Sequence, residues 1–174
     1  MNPIIALCAP PEHVAITEKI VAAESGGRAL AIHDNRSGRS YFPETVAEAV
    51  ALASKLLKQR DASIDLGLAQ INSKNLARFN ATVSDAFDPC SSIQMGAAIY
   101  AEGLQAAVSM GLSGDTAVRA ALSRYNTGRL DGSVGAAYAA RVLGGHSVVA
   151  ADVKRAPILV DLTANSGILV SFNH

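Results

Sequence analysis

Tryptophan is absent from this 174-residue chain, and its aromatic set is four tyrosines and four phenylalanines. A site built on broad indole faces is excluded, so any stacking platform for a sugar must come from those few rings. Surplus charge is missing as well: 15 Lys and Arg balance 15 Asp and Glu. With no basic excess, nothing in the chain advertises nucleic acid or an anionic membrane as a partner. No stretch reaches the roughly twenty apolar residues that a membrane-spanning helix needs. The opening Met1-Asn2-Pro3-Ile4-Ile5-Ala6-Leu7 lacks the positive n-region and the length of a secretory signal, which leaves an export route open.

Cysteine is scarce, with only Cys8 and Cys90. Two buried thiols and one long-range disulfide are both compatible with that spacing. A zinc site is not expected, because His13, His33, His146 and His174 stand without ligand spacing to either cysteine. No metal or cofactor is expected from the sequence.

Apolar residues make up 49 % of the chain and charged residues 17 %, a globular balance of the size of one domain. Alanine dominates the apolar set, favouring close-packed helices, so the expected fold is mainly α. After Pro10-Pro11 the pattern predicts a helix over about Glu12 to Glu24. The polar stretch from Ala31 to Ser40 reads as a loop, with His33 as a surface residue. Thr45 and Glu48 have the spacing of a capping box, and a helix to about Gln59 follows with Val46, Val50, Ala53 and Leu57 on one face. The segment Asp65 to Asn72 reads as a half-buried extended piece, Lys74 to Phe79 as a short helix, and Asp88-Pro89 as a turn. The longest helix is expected from about Ser91 to Met110, with Gly96 in a close helix contact and Gly111 as the stop. Asp115 is the expected cap of a helix to about Arg124, and a further helix covers Ser133 to Leu143. Beyond Gly144-Gly145, Val148-Val149, Ile158-Leu159-Val160 and Ile168-Leu169-Val170 are β-prone. The expected organisation is therefore a helical domain over 1–143 and a 144–174 tail, with Ala164-Asn165-Ser166-Gly167 as a hairpin turn.

The chemistry concentrates where the first long helix stops, at Val21-Ala22-Ala23-Glu24-Ser25-Gly26-Gly27. A carboxylate at a helix C-terminus meets the negative end of the macrodipole, and apolar neighbours deprive it of water. Both effects favour the protonated acid, as general-acid cleavage of an ether-like bond requires. Two further polar stations end apolar segments: Gly67-Leu68-Ala69-Gln70-Ile71-Asn72 and Ala121-Leu122-Ser123-Arg124-Tyr125-Asn126-Thr127-Gly128. Gln70 and Asn72 are amides among apolar neighbours, where either the backbone or a ligand must satisfy them.

These three stations, in this order, resemble the E-S, G-L-x-Q-I-N and A-x-x-x-Y-N-x-G motifs of the lysozyme-like lytic transglycosylases, which cleave peptidoglycan. Cys8-Ala9-Pro10, Phe87-Asp88-Pro89-Cys90 and the helix from Glu44 to Leu57 resemble more closely the VirB-type transglycosylases of type IV secretion and conjugation systems. The resemblance covers roughly residues 8 to 143 and leaves out the tail. It implies a goose-type lysozyme-like helical domain, with Glu24 as the sole catalytic acid/base. It also implies that Ser25 orients Glu24 or fixes the saccharide, and that Gln70 and Asn72 line the cleft floor. Tyr125 would bond near the glutamate, and Asn126 would hold local structure in the substrate-binding region. A Cys8–Cys90 disulfide, an oxidising periplasmic location, glycan strands as substrate and secretion components as partners follow from it too. Ala69 stands where many relatives carry a larger residue, and Arg28-Ala29 replaces a common Asn-Pro.

Most glycosidases use two carboxylates. Asp34, Asp65 and Asp88 are the candidates for a second, as a lysozyme-type hydrolase would need, yet none falls in a matching motif. A peptidoglycan-binding scaffold with little turnover is the alternative outside enzymology.

Overall fold

The computed structural model describes residues 3–144, so the β-prone tail expected after Gly144-Gly145 lies outside the described residues. The fold is mainly α with one small antiparallel sheet. The described chain divides into two compact units, residues 3–96 and 97–144, with the boundary inside its longest helix.

The first unit begins with helix α1 (Pro3–Cys8), which the sequence pattern did not announce. A single 3-10 turn at Pro11–His13 leads into α2 (Val14–Glu24), whose Ile16, Ile20 and Val21 are buried. The polar stretch read as a loop is instead a hairpin of β1 (Ile32–Asp34) and β2 (Arg39–Tyr41), with His33 opposite Ser40. Its strands are three residues long, too short for apolar alternation to register beside the turn signal of Asn35-Arg36-Ser37-Gly38. The expected extended piece is β3 (Ile64–Leu66), a tight turn, and β4 (Ile71–Asn72). All pairings are antiparallel, in the order β2-β1-β3-β4.

Helix α3 (Val46–Leu57) carries both halves of the expected capping box. Glu48 N–H donates to Thr45 Oγ1 at 3.2 Å, and Thr45 N–H donates to Glu48 Oε2 at 3.3 Å. Its buried stripe is Ala49, Ala53 and Leu56: of the expected face Ala53 is buried, Val50 and Leu57 are half-buried, and Val46 is exposed. Small residues rather than the bulkiest ones face the core here. The expected short helix is two 3-10 turns, Ser73–Asn75 and Ala77–Phe79. Asp88-Pro89 marks a helix start: α4 (Pro89–Ser109) opens on Pro89, and Asp88 Oδ1 accepts the Ser91 N–H at 2.8 Å.

A buried cluster of Ile5, Cys8, Ala9, Val21, Leu68 and Ile93 joins α1, α2, the β3–β4 turn and the start of α4. The Cys8–Cys90 disulfide stands within it, with Cα atoms 5.1 Å apart.

In the second unit, α5 (Gly114–Thr127) buries Val118, Ala121 and Leu122. Ser113 holds the cap position expected for Asp115, which lies in the first turn and pairs with Arg119 one turn on, at 2.6 Å. Two glycines let helices close on α5. A Cβ at Gly103 of α4 would stand 3.1 Å from the Ala121 carbonyl oxygen. One at Gly135 of α6 (Ser133–Leu143) would stand 2.6 Å from Ser123 Cβ. Among the described residues no helix is long and apolar enough to cross a membrane.

Candidate functional site

Glu24 is the last residue of α2 and is half-buried. The helix behind it is fixed by Ile20 and Val21, which are almost wholly inaccessible. Ahead of it the chain stops abruptly. Ser25 N–H donates to the Val21 carbonyl at 3.1 Å, Ser25 Oγ donates to the same oxygen at 3.3 Å, and that hydroxyl accepts the Gly27 N–H at 3.2 Å. Gly26 and Gly27 have φ of 61° and 82°, the left-handed region in which a side chain would be strained. Ser25 is 5 % exposed, and its hydroxyl is occupied by backbone. It therefore acts on Glu24 through the backbone, by locking the turn on which the carboxylate sits.

The second station is the β3–β4 turn. Gly67 has φ 74°, and a Cβ there would run into the Ala86 carbonyl oxygen, so glycine alone fits. Leu68 and Ala69 are buried beneath the turn, and Ala69 N–H donates to Oγ of the fully buried Ser92 at 3.2 Å. Gln70 holds φ 47°, uncommon for a residue with a side chain. Its Nε2 donates to the Ala31 carbonyl at 3.1 Å and the Gly67 carbonyl at 2.8 Å. Both amide hydrogens are thereby used, and the Oε1 acceptor has no partner among the described residues. Asn72 is occupied within the fold. Its Nδ2 donates to Asp65 Oδ1 at 2.7 Å and Ser63 Oγ at 3.0 Å, while its Oδ1 accepts the Lys74 N–H at 3.1 Å.

The third station ends α5 in the second unit. The half-buried Tyr125 stacks on the buried Tyr138 of α6, with ring centroids 6.3 Å apart and planes 5° from parallel. Asn126 is exposed. The turn after it is held by Ser123 and Thr127: Ser123 Oγ donates to the Arg129 carbonyl at 2.8 Å, and Thr127 Oγ1 donates to the Ser123 carbonyl at 2.8 Å.

Each aspartate weighed as a second carboxylate is engaged by the fold. Buried Asp34 accepts from Ser37 Oγ at 2.6 Å and Arg36 N–H at 3.0 Å, closing the β1–β2 turn. The Ser37 hydroxyl above all holds its pKa below the usual carboxylate value. Asp65 receives both the Asn72 and the Asn35 amides, and Asp88 caps α4. Among the described residues, no group of three or more His, Cys, Asp and Glu side chains could hold a metal ion. Ser92 is the site-shaping residue that sequence reasoning missed, since nothing marks a serine inside an apolar helix as the anchor of a distant turn.

The transglycosylase SLT domain matches residues 8–139, a span that takes in Cys8, all three stations and Cys90. Protein virB1 of Agrobacterium fabrum is 33% identical over 127 residues, covering 70% of this chain and 49% of that protein. The type IV secretion system protein virB1 of Brucella abortus is 32% identical over 159 residues, covering 88% of this chain and 64% of that protein. Protein virB1 of Rhizobium radiobacter is 33% identical over 124 residues, covering 70% and 50%. The chain thus spans about half to two-thirds of the length of these relatives. No solved structure matches significantly. With the family match running through more than two-thirds of the sequence, the chain belongs to the transglycosylase SLT domain family.

Proposed function

We propose that this protein is a peptidoglycan lytic transglycosylase with Glu24 as its single acid/base. The observation that carries the reading is the placement of Glu24. A half-buried carboxylate ends an anchored helix, on a turn locked by Ser25, Gly26 and Gly27, inside the span matched by the family. In its protonated form Glu24 gives its proton to the oxygen linking MurNAc to GlcNAc, and that bond breaks. The acetamido group of the muramic ring stabilises C1. The Glu24 carboxylate then takes the proton of the C6 hydroxyl as that oxygen bonds to C1, closing a 1,6-anhydro ring. Protons balance, and no water is consumed. Because nucleophile and electrophile share one ring, the step gains the effective concentration of an intramolecular reaction. The engagement of Asp34, Asp65 and Asp88 by the fold supports a one-carboxylate route over hydrolysis with a second acid.

The open Oε1 of Gln70 suits a sugar hydroxyl or acetamido N–H, and Tyr125 is the binding candidate of the second unit. Asn72 and Ser25 act by shaping the site, and Asn126 is kept as an exposed candidate. The transglycosylase domain is assigned to 1–143 and the tail to 144–174. Two further readings of this chain are proposals: service to a type IV secretion or conjugation apparatus, supported by the name of the similar type IV secretion system protein, and work in the periplasm, where a Cys8–Cys90 disulfide persists.

The test is mass spectrometry of muropeptides released from purified peptidoglycan by the wild type and by Glu24→Gln. Anhydro products from the wild type alone are expected. Reducing-end products, heavier by one water, would replace the reading with hydrolysis. Glycan binding without turnover by either protein would leave a scaffold.

A further inference from the structure

Phe42 is an anomaly of the surface. In a chain without tryptophan, one of four phenylalanines stands 58 % exposed just after β2. A cation lies over it: the guanidinium carbon of Arg28 is 4.9 Å from the ring centroid. Arg28 comes four residues after Glu24 and folds back towards it, donating from Nη1 to the Ser25 carbonyl at 3.4 Å. The same nitrogen stands 3.4 Å from where a Gly26 Cβ would be, so the side chain lies over the turn that ends α2. Two anchors, the ring and the carbonyl, thus fix the orientation of a long side chain at modest entropic cost. The charge itself is uncommitted: Arg28 is exposed, and no carboxylate among the described residues pairs with it. A planar fork with donors to spare, held rigid beside the reacting carboxylate's turn, matches the geometry of a carboxylate ligand.

We propose that Arg28, laid on Phe42, is a specificity-determining residue that recognises a carboxylate of the peptide stems carried by the glycan. This rests on the glycan-cleaving assignment of Glu24. Peptidoglycan supplies such anions in a regular array, because each muramic residue bears a lactyl-linked peptide with free carboxyl groups. The prediction is a preference for strands with free stem carboxylates over the same strands with those carboxylates capped as neutral amides.

The experiment compares kcat/KM on intact peptidoglycan and on peptidoglycan whose free carboxyl groups are capped as neutral amides by carbodiimide coupling to excess methylamine, for the wild type, Arg28→Gln, Arg28→Lys and Phe42→Leu. Glutamine keeps part of the stem and a polar head but carries no charge. Its ratio of intact to capped activity is expected to fall roughly tenfold through KM. Lysine keeps the charge without the fork and recovers part of the ratio; leucine removes the ring under the cation and lowers the ratio by less than glutamine does. The wild-type preference should shrink as salt rises to about 0.5 M. An equal loss on both substrates by a variant with native circular dichroism would reduce Arg28 to a latch and overturn the proposal. So would a wild type with no preference. No product from the wild type on either substrate would instead remove the glycan-cleaving assignment itself.

Discussion

Gln70 reaches out of the β3–β4 turn to donate to the carbonyl of Ala31 at 3.1 Å, the oxygen that also accepts the Gly67 N–H at 2.9 Å. Two donors from one turn therefore converge on the residue that enters β1. This bond holds the turn to the sheet, and it is made by a residue whose backbone is itself left-handed at φ 47°. The side chain compensates for a conformation that its own backbone disfavours.

That arrangement inverts a familiar ranking. At an ordinary position alanine is the milder replacement and glycine the more disruptive one. At Gln70 both substitutions lose the two Nε2 bonds, which costs about 1–3 kcal/mol. Alanine also keeps the left-handed strain, worth about 1 kcal/mol, which glycine relieves. Urea unfolding should rank wild type above Gln70→Gly and Gln70→Ala last. Alanine equal to or better than glycine would mean that the turn relaxes out of its left-handed form.

The contrast between what was and was not legible in the sequence follows from length scale. The Thr45–Glu48 box and the Ser133–Leu143 helix were readable because capping chemistry and the 3.6-residue period repeat over several turns. The hairpin was not, because three-residue strands carry too little alternation to outweigh the turn signal between them. Helix faces were misjudged where alanine replaces bulk. In α3 Ala49 joins the expected Ala53 in the core while Val46 is exposed, since close approach rather than side-chain volume sets that contact. The helix end that carries Glu24 was readable from the Gly26-Gly27 stop that follows it. The division of labour between Gln70, with an open acceptor, and Asn72, wholly engaged, depends on Ser63, Asp65 and Ala31, partners that chain folding alone brings into reach.

The disulfide joins positions 82 residues apart and stands in the cluster that contains Val21, three residues before Glu24, and Leu68, two before Gln70. Closing a loop of that length constrains the unfolded chain by roughly 4–5 kcal/mol in the chain-entropy model. The double variant Cys8→Ala/Cys90→Ala should lose stability of about that order, and dithiothreitol should bring the wild type down to nearly the same urea midpoint while leaving the variant unmoved. A loss below about 1 kcal/mol would show that the reduced unfolded chain is already constrained by other contacts.

Asp34 gives the fold an acid limit whose sign can be worked out. Its folded pKa is depressed, chiefly by the Ser37 hydroxyl, while in the unfolded chain it returns to about 3.9. Between those values the unfolded state binds more protons, so stability rises with pH across that window. The contribution is fully present above the unfolded value and is lost as pH falls through the folded one. His13 pushes the same way from a higher pH: burial lowers its pKa, so acidification below about 6.5 favours the unfolded, protonated form. Asparagine at position 34 keeps the shape of the side chain and removes the titration. The stability gap between wild type and Asp34→Asn, measured by urea unfolding from pH 7 to pH 2, should stay level down to about pH 4 and then close. His13 titrates in both proteins, so it cancels from the gap. A gap that is constant throughout would mean that the Ser37 and Arg36 contacts stabilise the neutral side chain as well as the carboxylate.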